Sequence, residues 1–318
     1  MTEAFVRPDV ATFLSYLNAV PGPKVQDLKP VDAREMVRAM RGVADLDTGP
    51  LAVLRDLVMP GPGGGDIALR LFDARAHREP GPVMVFFHGG GWVLGDLDTY
   101  EALCAEMARG LDMPVVSVGY RLAPEHPWPA APEDCEAAAR WVAGAPQALG
   151  LSPTGLVLAG DSAGGTLAIV ATIALRDRPA AVPVIAHWAI YPAADLVTHY
   201  PSYSEFKSGF FLTDEAMRWF NDCYAPDATD WRGSPMQAPL AGMPPALVTT
   251  AGLDPIRDQG RAYAAALAQA GVSVSFREAA GNIHGFLNLR RAIPSSSGDL
   301  ALNLATLNAL LAETGQPS

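Results

Sequence analysis

Residues Gly160-Asp161-Ser162-Ala163-Gly164-Gly165 set a serine among glycines at the join of two apolar runs, 156–159 and 167–171. A serine on a sharp strand-to-helix turn carries its hydroxyl above the end of a sheet, and flanking glycines permit the tight backbone. The helix that begins there aims free N–H groups and its positive dipole end at the same point. Negative charge developing beside Ser162 is stabilised by that arrangement. The bland alternative is a glycine-rich turn with an incidental serine, and the rest of the chain weighs against it.

His88-Gly89-Gly90-Gly91-Trp92 follows an apolar run at 83–87. Consecutive glycines leave backbone N–H groups unshielded, so such a loop can hold an anion. Phosphate binding is one use and a tetrahedral oxyanion the other. No phosphate-loop lysine follows, which favours the oxyanion. Ser162 also needs a base, and the chain has six histidines. His284, in Gly281-Asn282-Ile283-His284-Gly285-Phe286, lies after the last expected strand and is the best placed. His77 falls in a charged loop, His126 between proline-rich neighbours, and His187 inside an apolar strand where a packed core histidine is expected. His199 falls in a long insertion, and His88 opens the glycine loop and is expected to orient it. The base in turn needs a carboxylate to fix its tautomer. Asp254 ends an apolar run and is preferred; Asp258, four residues on, is the rival, with helix capping as its simpler role. The order Ser162, Asp254, His284 is that of α/β-hydrolases and not of chymotrypsin or subtilisin.

Holding these groups together requires strands that end beneath them. Strands are expected at 51–59, 67–72, 83–87, 115–120, 156–159, 184–191, 246–253 and 272–277, the last at a sheet edge. Helices are expected at 99–111, 132–142, from the serine turn to about Arg176, at 259–270, and from about Asp299. The alternation predicts an α/β fold with a mostly parallel sheet and right-handed crossovers. The glycines of 61–65 join two strands and open no helix, so no dinucleotide site is expected there. Residues 1–47 read as a helical arm broken at Pro21-Gly22-Pro23 and Pro30, and residues 48–318 as the catalytic domain. Residues 193–243 interrupt the alternation with Phe206, Phe210, Phe211, Trp219, Phe220, Tyr224 and Trp231. A lid over the strand ends is the expectation, and a helical excursion with its own small core the alternative.

The 318-residue chain is 49% hydrophobic and 18% charged, which is a globular balance. A net charge of −11 argues against nucleic acid and anionic membrane surfaces as partners. Cys104, Cys135 and Cys223 lie far apart, so neither a disulfide framework nor a zinc site is expected. No metal or cofactor motif stands elsewhere. No signal-peptide core follows Arg7, Pro8 and Asp9, and no apolar run reaches the ~20 residues of a membrane helix. The cytoplasm is the expected compartment.

His88-Gly89-Gly90-Gly91, Gly160-Asp161-Ser162-Ala163-Gly164, the Asp254 turn and His284-Gly285-Phe286 together resemble the hormone-sensitive-lipase family of α/β-hydrolases, also called bacterial esterase family IV. Tyr120-Arg121-Leu122-Ala123-Pro124-Glu125 matches a further signature, and the likeness runs from about residue 51 to 290. Asp161 points to the branch with aspartate before the nucleophile; Gln259 stands where the family often has glutamate. The resemblance implies an α/β-hydrolase fold with a helical cap built from the arm and the 193–243 insertion. It implies an oxyanion hole of the Gly90, Gly91 and Ala163 N–H groups, the last also expected as the residue after the nucleophile. Trp92, Tyr191, Phe210 and Phe211 are candidates for the substrate pocket, with core packing an equal alternative. The expected activity is a cofactor-free serine carboxylesterase acting on a small-molecule ester of short-to-medium acyl length, and a homodimer is compatible with the resemblance. Lactone or amide hydrolysis would use the same groups. A non-catalytic ligand receptor on a hydrolase scaffold is the reading from another class. The plant gibberellin receptor resembles this family without the triad histidine, whereas His284 is present here.

Overall fold

The computed structural model describes residues 4–313; residues 1–3 of the expected arm and 314–318 of the expected catalytic domain lie outside the described residues. Eight strands form one sheet in the order β1-β2-β4-β3-β5-β6-β7-β8. They are β1 Val53–Pro60, β2 Asp66–Asp73, β3 Gly81–Phe87, β4 Val115–Gly119, β5 Pro153–Asp161, β6 Val184–Ile190, β7 Ala246–Leu253 and β8 Val274–Ile283. Strand β2 runs antiparallel to β1 and β4, and all other pairs are parallel. The fold is the α/β-hydrolase fold.

Side chains that alternate along a strand point to opposite faces, and both faces of the central strands are buried. Val83, Val85 and Phe87 of β3 join the core with α4 (Ala130–Ala143) and α5 (Ala163–Asp177). Met84 and Phe86 join the opposite core with α3 (Glu101–Leu111) and α9 (Ser296–Glu313). Beside β6 and β7, α8 (Arg257–Gln269) packs Tyr263 and Leu267 against Ile169 and Ile173. The connection after β3 goes to β4 on one side, and β5 lies on the other. Phe87 and Gly160 are register partners, so the chain leaves the sheet at two adjacent points to form the glycine loop and the serine turn.

Most element boundaries differ modestly from the expected ones. Strand β8 runs from Val274 to Ile283 rather than over 272–277, because pairing with β7 continues past an irregularity to join Leu253 with Ile283. Strand β5 extends beyond 156–159 in both directions, and α4, α8 and α9 each begin two or three residues early, where first-turn residues carry no apolar signal.

The arm forms a first helix, α1 (Pro8–Ala19), a 3₁₀ turn Val25–Asp27 and α2 (Pro30–Ala44). Between β6 and β7 the chain forms α6 (Pro201–Glu205) and α7 (Asp214–Tyr224). Val10 and Leu14 of α1 cluster with Phe206, with Leu253 at the end of β7, and with Ile283 at the end of β8. Arg34 of α2 donates to the carbonyls of Val93 and Ala123 at 2.8 and 2.7 Å and pairs with Glu125. Arm and insertion touch through the edge-on pair Phe13–Phe211 and a bond from Asn18 to the Gly209 carbonyl. Tyr224 of the insertion belongs to the main core, so the insertion is not an excursion with a core of its own. No helix among the described residues is long and apolar enough to cross a membrane.

Candidate active site

The serine turn is forced by close backbone packing. Ser162 adopts φ +54° and ψ −121°, left-handed backbone that an L side chain rarely takes. A Cβ on Gly164 would lie 1.9 Å from the Phe87 carbonyl oxygen, and one on Gly160 2.2 Å from that of Gly164. Only glycine lets α5 start this close to the end of β3. The Ser162 N–H donates to the Ile190 carbonyl at 2.8 Å, which holds the turn against β6. Ala163 is the first residue of α5, so its N–H has no partner within the helix. Ser162 itself is partly exposed while its neighbours are buried.

The glycine loop is held from three sides. Gly90, Gly91 and Trp92 take positive φ values of 110°, 62° and 61°. The carbonyl of Gly90 accepts from Val93 and Leu94, and Trp92 accepts from Ala123. Among the described residues, the N–H groups of Gly90 and Gly91 donate to nothing in the protein. His88 is buried, donates from Nδ1 to the Gly89 carbonyl at 2.8 Å, and stacks on Tyr120 at 4.3 Å. Burial pushes its pKa down to about 4, so the ring is neutral and structural. The Tyr120 hydroxyl donates to the His88 carbonyl at 2.7 Å, while Arg121 is paired with buried Asp134 and Glu125 with Arg34. The Tyr120–Glu125 signature thus fastens the loop to the body of the protein.

Ser162, His284 and Asp254 meet in one chain of hydrogen bonds. His284 Nε2 lies 2.8 Å from Ser162 Oγ, and His284 Nδ1 lies 2.7 Å from Asp254 Oδ2. A carboxylate only accepts, so Nδ1 carries the proton and Nε2 is free to accept from the serine hydroxyl. Asp254 is fully buried, and its Oδ1 accepts from the Ile256 N–H at 2.9 Å. Asp258 does not reach the histidine. Nor does it cap α8, whose N-cap is Ile256; it binds Arg257, Arg261 and the Ser202 N–H, tying α8 to α6. Gln259 accepts from the Asp195 N–H and donates to Tyr203, bracing the start of the insertion.

The remaining histidines lie elsewhere. His77, His126 and His199 are exposed, and His187 is a core residue bonded to the Tyr263 hydroxyl, its pKa lowered to about 4 by burial. Of the pocket candidates, Trp92 and Tyr191 are buried. Trp92 stacks flat on Tyr224 at 4.3 Å, and the Tyr191 ring lies 4.8 Å from the His284 ring. Phe210 packs edge-on against Phe206, whereas Phe211 is 43% exposed and reaches Gly285, next to His284. Two residues that the sequence did not single out for the site complete the surroundings. The Phe220 ring of α7 stands over Gly91, where a Cβ would lie 2.3 Å from it. Asp161, legible only as a motif variant, accepts from Gly89, Tyr100 and Tyr191.

Comparison with known proteins matches residues 84–288 to the alpha/beta hydrolase fold family. The chain is 42% identical over 266 residues to the carboxylic ester hydrolase LipN of Mycobacterium tuberculosis, covering 79% of this chain and 69% of that protein. It is 33% identical over 314 residues to an ethyl acetate hydrolase of Pseudomonas putida, covering 95% and 98%. Among solved structures it is similar to an ester-hydrolase from the metagenome of Lake Arreo complexed with a bipyridine phosphonate derivative. That likeness has a TM-score of 0.91 and 34% identity and covers 96% of this chain and 98% of that one. The chain belongs to the α/β-hydrolase fold family, in its hormone-sensitive-lipase-like branch of carboxylic ester hydrolases.

Proposed function

We propose that the serine carboxylesterase activity of this α/β-hydrolase runs through Ser162 as nucleophile, His284 as base and Asp254 as the carboxylate that orients it. Ser162 Oγ attacks the ester carbonyl while His284 Nε2 takes its proton. The carbonyl oxygen becomes an oxyanion, stabilised by the N–H groups of Gly90, Gly91 and Ala163. His284 returns the proton to the departing alcohol and then activates water, which releases the acyl group and regenerates Ser162. The observation that carries this reading is the unbroken chain from Ser162 Oγ through His284 to Asp254, at 2.8 and 2.7 Å.

The substrate is a small-molecule ester with a short-to-medium acyl chain. Phe220 over Gly91 and Phe211 beside Gly285 narrow the approach to Ser162 and support this range. So does the likeness to an ethyl acetate hydrolase. The arm and the 193–243 insertion act together as the cap. The unpaired Cys104, Cys135 and Cys223 fit a reducing, cytoplasmic setting. A homodimer joined along the free edge of β8, where Phe276 is 45% exposed, is the assembly; gel filtration at the mass of one chain would contradict it.

The test is hydrolysis of p-nitrophenyl esters from acetyl to palmitoyl by wild type and Ser162→Ala, with folding checked by circular dichroism. Turnover peaking at short or medium chains and lost in the folded variant is expected. Undiminished turnover in Ser162→Ala would overturn the assignment.

A further inference from the structure

We propose that Asp161 is a positioning residue, whose buried carboxylate locks the oxyanion loop to the nucleophile turn and backs the catalytic histidine through Tyr191. This rests on the reading of Ser162, His284 and the glycine loop given above. Asp161 is the last residue of β5 and directly precedes Ser162. Its Oδ1 accepts the Gly89 N–H at 2.7 Å, and its Oδ2 accepts the hydroxyls of Tyr100 at 3.1 Å and Tyr191 at 3.3 Å. The donors come from three separate places: the glycine loop, the start of α3 and the end of β6. No side chain fits between them, since a Cβ on Gly89 would lie 2.7 Å from Asp161 Oδ2. Tyr191 reaches its post with φ +33°, strained for an L residue, and its ring lies 4.8 Å from that of His284.

A neutral residue could fasten a loop, so the charge needs its own reason. Among the described residues no arginine or lysine pairs with Asp161, and burial pushes its pKa up to about 6. The titratable groups that face it are Tyr100 just before α3, Cys104 within α3, Tyr120 after β4, Tyr191 after β6, and His284 after β8. Only His284 becomes a cation, and it does so when it takes the Ser162 proton. A carboxylate on that side stabilises the imidazolium in the transition state. The same residue sets Gly90 and Gly91, whose donors are used only when the oxyanion forms, so its loss falls on kcat rather than KM.

The test is hydrolysis of p-nitrophenyl butyrate across pH by wild type, Ser162→Ala, Asp161→Ala, Asp161→Asn and Tyr191→Phe. Rates are taken per active site, by titration of the nucleophile. Asp161→Ala is expected to lose about 10²-fold in kcat with KM within about threefold. Asn retains an acceptor for Gly89 but no charge, and recovers part of that loss. In both, the acid limb of kcat/KM moves, because the wild-type limb contains the protonation of the Asp161 carboxylate near pH 6 and the variants lack that group. A purely structural role would change the amount of folded enzyme and leave that limb in place. Tyr191→Phe gives a smaller kcat loss of the same kind, and decides the matter if the Asp161 variants do not fold. Wild-type kcat and an unmoved acid limb in the folded variants would overturn the positioning role alone. Turnover surviving in Ser162→Ala would overturn the reading beneath it.

Discussion

At the residue scale, the site depends on backbone that only glycine can supply. Gly164 sits where a Cβ would overlap the Phe87 carbonyl at 1.9 Å, and a Cβ on Gly160 would lie 2.2 Å from the Gly164 carbonyl oxygen. Neither contact is with a flexible side chain, so the start of α5 or the end of β3 would have to move. Gly164→Ala is expected to cost about 3 kcal/mol or more, on the scale of overpacking and forced backbone shifts; a wild-type melting temperature by circular dichroism would contradict this. The meeting of Ser162, His284 and Asp254 was legible because Ser162 and Asp254 each follow a buried apolar run and His284 follows the last expected strand. The choice of Asp254 over Asp258 was legible as a preference, because only Asp254 ends its run. The work of Asp161 was not legible. Its partners Gly89, Tyr100 and Tyr191 are 30 to 72 positions away, and no periodicity says which tyrosines converge on one carboxylate.

At the scale of elements, the central strands were readable because both-face burial leaves unbroken apolar runs, as in Val83 to Phe87. The relation of α7 to the glycine loop was not. Trp219 and Phe220 read as interchangeable aromatics, and only the packing puts Phe220 over Gly91. Phe220→Ala should open that end of the site, raising the octanoate-to-butyrate ratio of kcat/KM about tenfold, the order expected for added methylenes in an apolar pocket. An unchanged ratio across the ester series would remove Phe220 from the pocket. Gly91→Ala alone should lower stability and turnover together, since its Cβ meets the Phe220 ring. In the Phe220→Ala background the clash is gone and only the strain of φ +62° remains, about 1–2 kcal/mol. A double-mutant cycle in melting temperature reads that coupling, and strict additivity would contradict it.

At the scale of the whole molecule, the buried ionisable groups set how stability changes with acid. His88 and His187 have folded pKa values near 4, below the ordinary 6.5. The unfolded chain therefore binds protons that the folded one refuses, and stability falls as pH drops from about 6.5 to 4, by roughly 3 kcal/mol per histidine. Asp161 acts with the opposite sign: its pKa near 6 lies above 3.8, so its burial costs stability above pH 6 and that cost fades towards pH 4. His187→Gln should accordingly lose less stability than wild type between pH 7 and pH 4 in urea denaturation, and equal losses would contradict the assignment. The fold class was legible from alternation alone. The meeting of arm and insertion was legible only as what the resemblance implies, because Phe13 and Phe211 belong to segments that share no pattern. The central claim, that Ser162 is the nucleophile of an ester hydrolase, is tested most directly by a p-nitrophenyl phosphonate ester, which traps the attacking oxygen covalently. One phosphonyl adduct per chain on Ser162, located by mass spectrometry and formed in step with loss of esterase activity, is the result expected. Loss of activity with the adduct on another residue, or persisting hydrolysis with Ser162 fully labelled, would contradict it.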